Sequence, residues 1–336
     1  MKIESVSILI VTRNRAQKLD ECLKRISLQS KDLIDFEVIV GDGSSNDNTK
    51  FVTESYGFKY IDLGSPDNSE LRRYTILNHA KNNIVGYIDD DNFIPYDDKN
   101  WIYKMSKPFF DNHENLIGSF TKWYGYDESS SPLDIYYSLI GGNDPIAIML
   151  GKYDRVGLNN ENLPNNSKLI VKKENYDLVN IDVLNSPPLG CNGFFIKKDL
   201  IVSLNINPSE YMHPDINISI MKKLKSYKYA VVRSKIIHDT GENIIKSVKK
   251  RFNYFLQFTI APPSKRIYKT FDLNIKSISR LIFIIIVNIT IFIPAIISIF
   301  MIIKSKRLEW IYHPIMCFFM TISYIFGALF YFIKKN

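Results

Sequence analysis

The chain has 336 residues, of which 46% are hydrophobic, and carries a formal net charge of +8. This length accommodates one large domain with attachments or two small domains. The three cysteines form no Cys-x-x-Cys pair, which argues against a disulfide framework and a zinc site. The excess of basic residues lies in one segment before an apolar run, which favours anionic lipid over nucleic acid as the partner of that segment.

The first third of the sequence alternates strand-like and helix-like segments. Short apolar runs predict buried strands at residues 6–11, 36–40, 59–63 and 84–88, and helical spacing predicts helices at 16–30, 48–56 and 70–82. This alternation is typical of a parallel sheet with helices on its faces, an α/β fold. Ligands of such sheets bind at the carboxyl ends of strands, where this sequence places polar clusters at 12–15, 42–47 and 89–92.

The middle of the chain gives a weaker pattern. Residues 115–185 mix aromatic side chains with Gly, Ser, Asn and Asp, and residues 159–166 are expected to form an exposed loop. A strand at 190–196 is expected to return to the sheet, and residues 216–224 have helical spacing.

Two uncharged segments of 23 residues, 281–303 and 311–333, close the sequence. Each is long enough to cross a bilayer core of about 30 Å, so we expect a membrane hairpin; two buried helices of a soluble domain are the alternative. The positive-inside rule places the basic segment 243–280 and the N-terminal domain in the cytoplasm, although three basic residues in the hairpin loop argue weakly for the reverse.

Three consecutive carboxylates, Asp89, Asp90 and Asp91, follow the predicted strand at 84–88. They repel one another, and a cation among them relieves the repulsion. Hard oxygen ligands suit Mg²⁺ or Mn²⁺, which in many sites links one or two carboxylates to substrate phosphates. A solvated acidic turn is the alternative.

A second polar cluster follows the predicted strand at 36–40. Asp42 directly after this strand is placed to accept hydrogen bonds from a nucleotide base or ribose. The alternative is a turn in which Asp47 and Asn48 cap the next helix.

Residues 6–15, the 41–47 loop and the Asp89–Asp91 triplet together resemble the family 2 glycosyltransferases of the GT-A fold. Gly41 replaces the first acid of the family's second motif, and Asp42 keeps the second. Arg73 matches the family's Arg-Asn helix motif, with Tyr74 in place of the Asn. The resemblance covers about residues 3–240 and is strongest over 3–95.

The resemblance implies a set of donor contacts. Thr12, Arg13 and Asp42 would hold the nucleoside, and Arg73 would contact the base or the diphosphate. Asp90 would touch the ribose or the donor sugar. These roles are carried over by position in the motifs.

The resemblance also implies a metal site. Asp89 and Asp91 would flank the metal and the diphosphate, and Asp91 is the first choice as a direct ligand. Residues 231–238 resemble the family's closing strand, which ends in a histidine that some relatives use at the metal, so His238 is a third candidate ligand. A packing role for His238 is the alternative.

Asp215 is the candidate general base. Residues 190–196 resemble the small-residue strand that lines the donor sugar, and the family then has Glu-Asp before a helix, where this chain has Pro214 and Asp215. Asp215 as a helix cap is the alternative, and His213 is the rival base. Residues 247–254 lack the Gln-x-x-Arg-Trp signature of processive synthases, so we expect one sugar per encounter, with Arg251 steadying the diphosphate.

The sequence thus predicts a GT-A domain at 1–242, a basic juxtamembrane segment at 243–280 and a two-helix transmembrane hairpin at 281–333. The resemblance implies an inverting hexosyltransferase that uses Mn²⁺ or Mg²⁺ and a nucleotide-sugar donor, by resemblance a UDP-sugar. Its acceptor would be a saccharide or a lipid-linked saccharide at the membrane, as in the synthesis of envelope polysaccharide or glycolipid. The alternatives are transfer to a polyprenyl phosphate, nucleotidyl transfer and a non-catalytic membrane scaffold.

Overall fold

A computed structural model describes residues 4–335, except 66, 112, 154, 165–166, 184–185, 187, 191, 211, 261–265 and 270–273. Three parts of the predicted pattern therefore lie outside the described residues. They are Cys191 in the strand expected at 190–196, residues 165–166 of the loop expected at 159–166, and part of the basic segment at 243–280.

A single mixed sheet contains the ten strands found among the described residues. They are β1 Ser5–Thr12, β2 Asp35–Asp42, β3 Lys59–Asp62, β4 Ile84–Ile88, β5 Asn92–Phe93, β6 Leu116–Gly125, β7 Lys168–Lys172, β8 Tyr176–Asn180, β9 Asn192–Lys197 and β10 Lys228–His238. Their order is β3-β2-β1-β4-β9-β6-β10-β8-β7, with β5 paired to β10. Strands β1 to β4 are parallel, and β9 runs antiparallel between β4 and β6.

Helices cover the sheet and form the C-terminal part of the chain. They are α1 Ala16–Ser27, α2 Thr49–Ser55, α3 Ser69–Thr75, α4 Trp101–Phe110, α5 Pro132–Ile140, α6 Pro145–Met149, α7 Lys198–Val202, α8 His213–Leu224, α9 Ile244–Tyr254, α10 Ile275–Thr290, α11 Phe292–Ser305 and α12 Tyr312–Lys335. A 3₁₀ turn, Ile76–His79, follows α3, and a π-helical stretch, Phe255–Ile260, follows α9.

Each face of the sheet has its own apolar core. Because side chains alternate along a strand, Ile8 and Ile10 of β1 pack with Leu19 and Leu23 of α1, whereas Leu9 belongs to the cluster on the opposite face. Burial on both faces explains why the first strands read as continuous apolar runs.

The predicted order of strands and helices over the first 90 residues is confirmed, and so are the strand at β9 and the helix at α8. The helix expected at 70–82 is shorter, because α3 ends at Thr75 and the chain continues as the 3₁₀ turn. The described residues within 115–185 form three strands and two helices that the sequence pattern did not resolve. The described part of the loop expected at 159–166 contains no helix or strand.

A third apolar cluster joins the sheet domain to the C-terminal helices. Leu133, Tyr136 and Tyr137 of α5 pack against residues of α10 and α12 and against Trp310. The Tyr137 hydroxyl and Ser247 Oγ of α9 form a hydrogen bond of 2.5 Å. Tyr136 and Tyr137 are therefore core residues at the junction between the two parts of the chain.

One helix among the described residues, Leu308–Tyr331, is long and apolar enough to cross a membrane. The segment expected as the first span is instead divided between two helices, α10 and α11, which meet at an angle of 74°. This pair would be a further membrane span only if both helices together cross the membrane as one bent unit. Ile291 between them has φ of +63°. Pro294 explains the break, because its ring clashes with the carbonyl of residue 290 in a continuous helix. The two-helix transmembrane hairpin predicted at 281–333 is therefore not confirmed.

Candidate active site

A cavity of about 1320 Å³ opens at the carboxyl ends of β1 and β4 and at the end of β10. Among the sequence-predicted site residues, those on the cavity wall are Thr12, Arg13, Arg73, Asp89, Asp90, Asp91, His238, Arg251 and the rival base His213. Parallel strands bring these side chains together from distant parts of the sequence, as expected for such a sheet. The carboxylates of Asp42 and Asp215 lie beside this wall and are held by other groups.

Asp90 is held entirely by the first strand and the turn after it. Thr12 Oγ1 donates to one carboxylate oxygen at 2.6 Å, and Arg15 donates to the other at 2.9 Å. Burial and the neighbouring charge of Asp91 raise the pKa of Asp90, whereas Arg15 and Thr12 oppose the rise. Both oxygens of Asp90 already accept hydrogen bonds, so in this structure Asp90 holds Thr12 and Arg15 in place. Its predicted contact with ribose or donor sugar stays a prediction.

Asp89 forms an ion pair with Arg73. The guanidinium donates to Asp89 at 2.8 Å with one nitrogen and to Glu70 at 2.8 Å with another. Burial raises the pKa of Asp89 to about 7, with Arg73 opposing the rise and the charges of Asp91 and Asp90 adding to it. Arg73 therefore does not fully offset the negative charge of the three carboxylates at neutral pH. A bound cation would stabilise this cluster.

Asp91 and His238 face each other across the cavity, with 3.8 Å between Asp91 Oδ1 and His238 Nε2. The backbone fixes this arrangement, because Asn92 pairs with His238 across β5 and β10 and the Asp239 amide donates to the Asp91 carbonyl at 2.9 Å. Burial lowers the pKa of His238, whereas the charge of Asp91 opposes this shift. Burial alone would raise the pKa of Asp91, but the positive charge of protonated His238 and, after it, the charge of Arg15 lower it.

The donor set at Asp91 and His238 fits a divalent cation. The distance of 3.8 Å is too long for a hydrogen bond. Two ligand bonds of about 2.1 Å to one ion span at most about 4.2 Å, so both atoms can bind the same Mg²⁺ or Mn²⁺. The described residues contain no cluster of three or more His, Cys, Asp or Glu side chains able to hold a metal. Substrate phosphate and water would therefore complete the coordination.

Asp42 lies next to the cavity at the end of β2, and its carboxylate accepts three hydrogen bonds. Ser45 donates with its hydroxyl at 2.5 Å and its amide at 2.9 Å, and the Tyr60 hydroxyl donates at 2.8 Å. An ionised carboxylate accepts about four hydrogen bonds, so about one position is left for a nucleoside. The predicted nucleoside contact stays a prediction.

Arg13 and Arg72 flank this part of the cavity. Arg13 pairs with Asp67 at 2.9 Å. A Cβ added at Gly43 would meet Arg72 Nη1 at 2.7 Å, so glycine at this position lets the guanidinium cover the loop. Arg72 therefore faces the Asp42 loop, whereas its neighbour Arg73 faces Asp89.

Asp215 lies at the start of α8, and the segment 266–268 covers its carboxylate. One oxygen accepts the amides of Ile267 at 3.2 Å and Tyr268 at 2.6 Å, and the other accepts Arg266 Nη1 at 3.3 Å. Asp215 is 8% exposed, and its neighbours His213 and Pro214 line the cavity. The structure thus places the candidate base beside the site with its oxygens already bound, and its catalytic role stays a prediction.

His213, the rival base, is poorly suited to take a proton. Burial, together with the charge of Arg73, lowers its pKa to about 3. Its ring packs edge-on against Tyr87, with 4.8 Å between the ring centroids. His213 is therefore a neutral core side chain at physiological pH.

Arg251 extends from α9 into the cavity. Its guanidinium lies 5.2 Å from the ring centroid of Tyr254, and its Nε has no hydrogen-bond partner among the described residues. The adjacent Lys250 pairs with Glu242 at 2.6 Å. This placement suits the predicted contact between Arg251 and a diphosphate.

Sequence reasoning missed several side chains on the cavity wall: Arg15, Arg72, Tyr124, Asp144, Lys250 and Arg266. It also missed Arg155, which supports Tyr124 from behind the wall. Arg155 is 1% exposed and donates to Thr121 at 2.9 Å and to the Tyr124 hydroxyl at 3.2 Å. Asn192 also donates to the Tyr124 hydroxyl, at 2.9 Å. The only signal for Arg15 was its position in the polar cluster after β1.

Residues 7–161 match the family described as Glycosyl transferase family 2. Among solved structures, the mannosyltransferase PcManGT from Pyrobaculum calidifontis in complex with GDP-Man and Mn²⁺ aligns with a TM-score of 0.50 at 14% identity, covering 96% of this chain and 86% of that one. No curated protein matches the sequence. At this identity the likeness shows the fold.

Two further structures align with lower scores. S. aureus TarS has a TM-score of 0.44 at 17% identity, with 75% of this chain and 40% of that chain covered, so this chain spans about two fifths of that protein. Glucosyl-3-phosphoglycerate synthase from Mycobacterium tuberculosis, in complex with Mn²⁺, UDP and glucosyl-3-phosphoglycerate, has a TM-score of 0.44 at 15% identity, with coverages of 70% and 72%.

Proposed function

We propose that this chain transfers a sugar from a nucleoside-diphosphate donor to an acceptor hydroxyl at a membrane. The proposal starts from the match of residues 7–161 to glycosyltransferase family 2 and from the GT-A fold. UDP is the first carrier to test. The observation that carries the proposal is the cavity in which Asp91 and His238 face each other at 3.8 Å with Arg15 and Arg73 alongside. Carboxylate, imidazole and guanidinium groups together match a metal-bound diphosphate.

The side chains of this chain divide the reaction between them. Arg73 and Arg251 bind and orient the diphosphate, and Asp91 with His238 would hold Mn²⁺ or Mg²⁺, which when bound offsets charge on the departing diphosphate. Asp215 takes the proton of the acceptor hydroxyl. The acceptor oxygen bonds to the anomeric carbon as the bond to the diphosphate breaks, the nucleoside diphosphate leaves, and one displacement inverts the anomeric centre.

Two features support action at a membrane. Leu308–Tyr331 is long and apolar enough to span a bilayer, and the basic helix α9 precedes the C-terminal helices and lines the same cavity. Anionic lipid on the cytoplasmic leaflet attracts such basic segments. We place the site at the cytoplasmic face, where nucleotide sugars are available.

A panel of UDP-, GDP- and dTDP-sugars with Mn²⁺ or Mg²⁺, scored for release of nucleoside diphosphate, tests the proposal. We expect release from one donor with metal, and its loss with EDTA and in Asp91→Asn. Asp32→Asn is the matched control, because Asp32 is exposed near the amino end of β2, opposite the cavity. Release of sugar 1-phosphate would indicate nucleotidyl transfer, and no turnover with any donor would refute the proposal.

A further inference from the structure

Helix α12 is long enough to cross a membrane, but its contacts run along the sheet domain rather than away from it. Near its start, His313 Nδ1 and the Tyr136 hydroxyl of α5 form a hydrogen bond of 3.0 Å. Further along, Tyr324 stacks on Phe255 of the π-helical stretch, with 4.8 Å between the ring centroids. A Cβ added at Gly327 would meet the same phenylalanine ring at 3.0 Å. One side of α12 is therefore covered by the rest of the protein over most of its length.

These contacts limit the depth that α12 can reach in a bilayer. From His313 to Gly327 the helix rises about 21 Å, which is more than half of the roughly 30 Å hydrocarbon core. If α12 crossed the bilayer, the elements packed beside its second half would be carried to the middle of the core. Those elements include Asp144, whose carboxylate contacts Tyr324, and the basic helix α9 with Lys250. Charged groups at that depth are costly, which favours a helix that lies parallel to the bilayer surface.

The opposite face of α12 is apolar and exposed. Phe319, Phe326, Phe330 and Ile333 are between 48% and 77% exposed. Their spacing of seven, four and three residues places them on one stripe of the helix. A helix with one face on a polar domain and an apolar stripe on the other suits the interface of a membrane, where the stripe meets hydrocarbon.

The bent pair α10 and α11 begins and ends on the sheet domain. Before the apolar run, the Arg280 guanidinium donates to the Met149 carbonyl of α6 at 2.5 Å. After it, Arg307 donates to the Tyr126 hydroxyl, and its guanidinium lies 4.7 Å from the centroid of that ring. A helix pair whose two ends contact one domain enters and leaves the bilayer on the same side. The bend of 74° at Ile291 turns the chain back.

The basic residues after α10 agree with this path. Lys304, Lys306 and Arg307 lie at the end of α11 and in the loop that follows it. In a transmembrane hairpin these three charges would lie across the bilayer from the basic helix α9, against the positive-inside rule. When α10 and α11 return to the domain, the three charges join α9 on one side, where anionic headgroups attract them.

We propose that α10, α11 and α12 form a monotopic anchor, which lies in one leaflet of an anionic bilayer without crossing it. The exposed apolar faces of the helices meet the hydrocarbon of that leaflet, and the domain with its cavity stays on the headgroup side. This inference goes beyond the proposed function, because it concerns the anchor and holds whatever reaction the site performs. Neither of its tests uses a sugar donor, so its failure and the failure of the proposed function are distinguishable.

The first test measures on which side of the bilayer the end of α11 lies. The full-length protein is bound to preformed, sealed vesicles of phosphatidylcholine and phosphatidylglycerol. Lys304→Cys places an exposed thiol at the end of α11, Asp32→Cys is the exposed control on the domain, and wild type gives the background of the native cysteines. A membrane-impermeant maleimide added outside should label both variants to the same final extent, with no increase on adding detergent. A Lys304→Cys thiol that reacts only after detergent would overturn the proposal.

The second test measures depth along the exposed stripe of α12. A bimane label is attached in turn to Phe319→Cys, Phe326→Cys and Phe330→Cys, and it is quenched by lipids brominated at a shallow or a deep position of the acyl chain. A helix in the plane of the leaflet gives the same ratio of shallow to deep quenching at all three positions. A crossing helix spreads the labels over about 16 Å of depth, so unequal ratios would overturn the proposal. Absence of quenching at all three would also overturn it, because the stripe would then face protein or water.

Discussion

Replacing Asp91 by asparagine removes one of the two side chains that face each other at 3.8 Å across the cavity. Asparagine keeps an oxygen of similar size and loses the unit charge. Loss of an outer partner of a metal ligand costs about 10–100-fold in affinity, so loss of a charged direct ligand in a site with only two protein ligands should cost at least about 100-fold. Part of the loss is offset, because removing the Asp91 charge lowers the pKa of Asp89.

The assay is an electron paramagnetic resonance titration of free Mn²⁺ at pH 7.5 with saturating nucleoside diphosphate. Asp90→Asn is the matched comparison, because Thr12 and Arg15 already occupy both oxygens of Asp90, and its loss of affinity should stay within about tenfold. Unchanged Mn²⁺ affinity in Asp91→Asn, or an equal loss in Asp90→Asn, would refute the assignment of Asp91 as the ligand.

Three further predictions follow from the site. Asp215→Asn should keep donor affinity and lose about 10²–10⁴ in kcat, measured by nucleoside diphosphate release and calorimetry; unchanged kcat would remove the base assignment. Arg251→Ala should weaken binding of the nucleoside diphosphate about 10- to 100-fold by calorimetry, because a charged hydrogen bond contributes about 1.5–3 kcal/mol, and an unchanged affinity would place Arg251 outside the diphosphate site. The pKa of His213 is lowered to about 3, so as pH falls below about 6.5 the unfolded chain takes up a proton that the folded chain does not, and stability falls. The pH dependence of the thermal unfolding midpoint between pH 7 and 5 should therefore be shallower in His213→Asn than in wild type, and parallel curves would contradict this explanation.

The strand ends were predictable because one short stretch of sequence specifies each of them. Apolar runs followed directly by Thr12, Asp42 and Asp89 identify buried strands and the polar side chains at their carboxyl ends. The family resemblance then implied His238 as a partner for the triplet, and the structure places it 3.8 Å from Asp91.

The ion pairs within the site were not predictable in the same way. Arg15 pairs with Asp90 and Arg266 pairs with Asp215, and in each case the two residues are far apart in sequence. A basic residue in a turn shows no pattern that names its partner, because the partner depends on how the strands are ordered in the sheet. The average hydropathy of this segment likewise gives no sign of the break at Ile291, because the residues on both sides of it are apolar.

The packing of α5 against the C-terminal helices bears on how the protein can be prepared. Leu133, Tyr136 and Tyr137 are at most 4% exposed, and much of their cover comes from α10, α12 and Trp310. A version cut before residue 275 to improve solubility would uncover this aromatic surface in water, and such patches promote aggregation. Purification of the intact chain is therefore the better route to folded material.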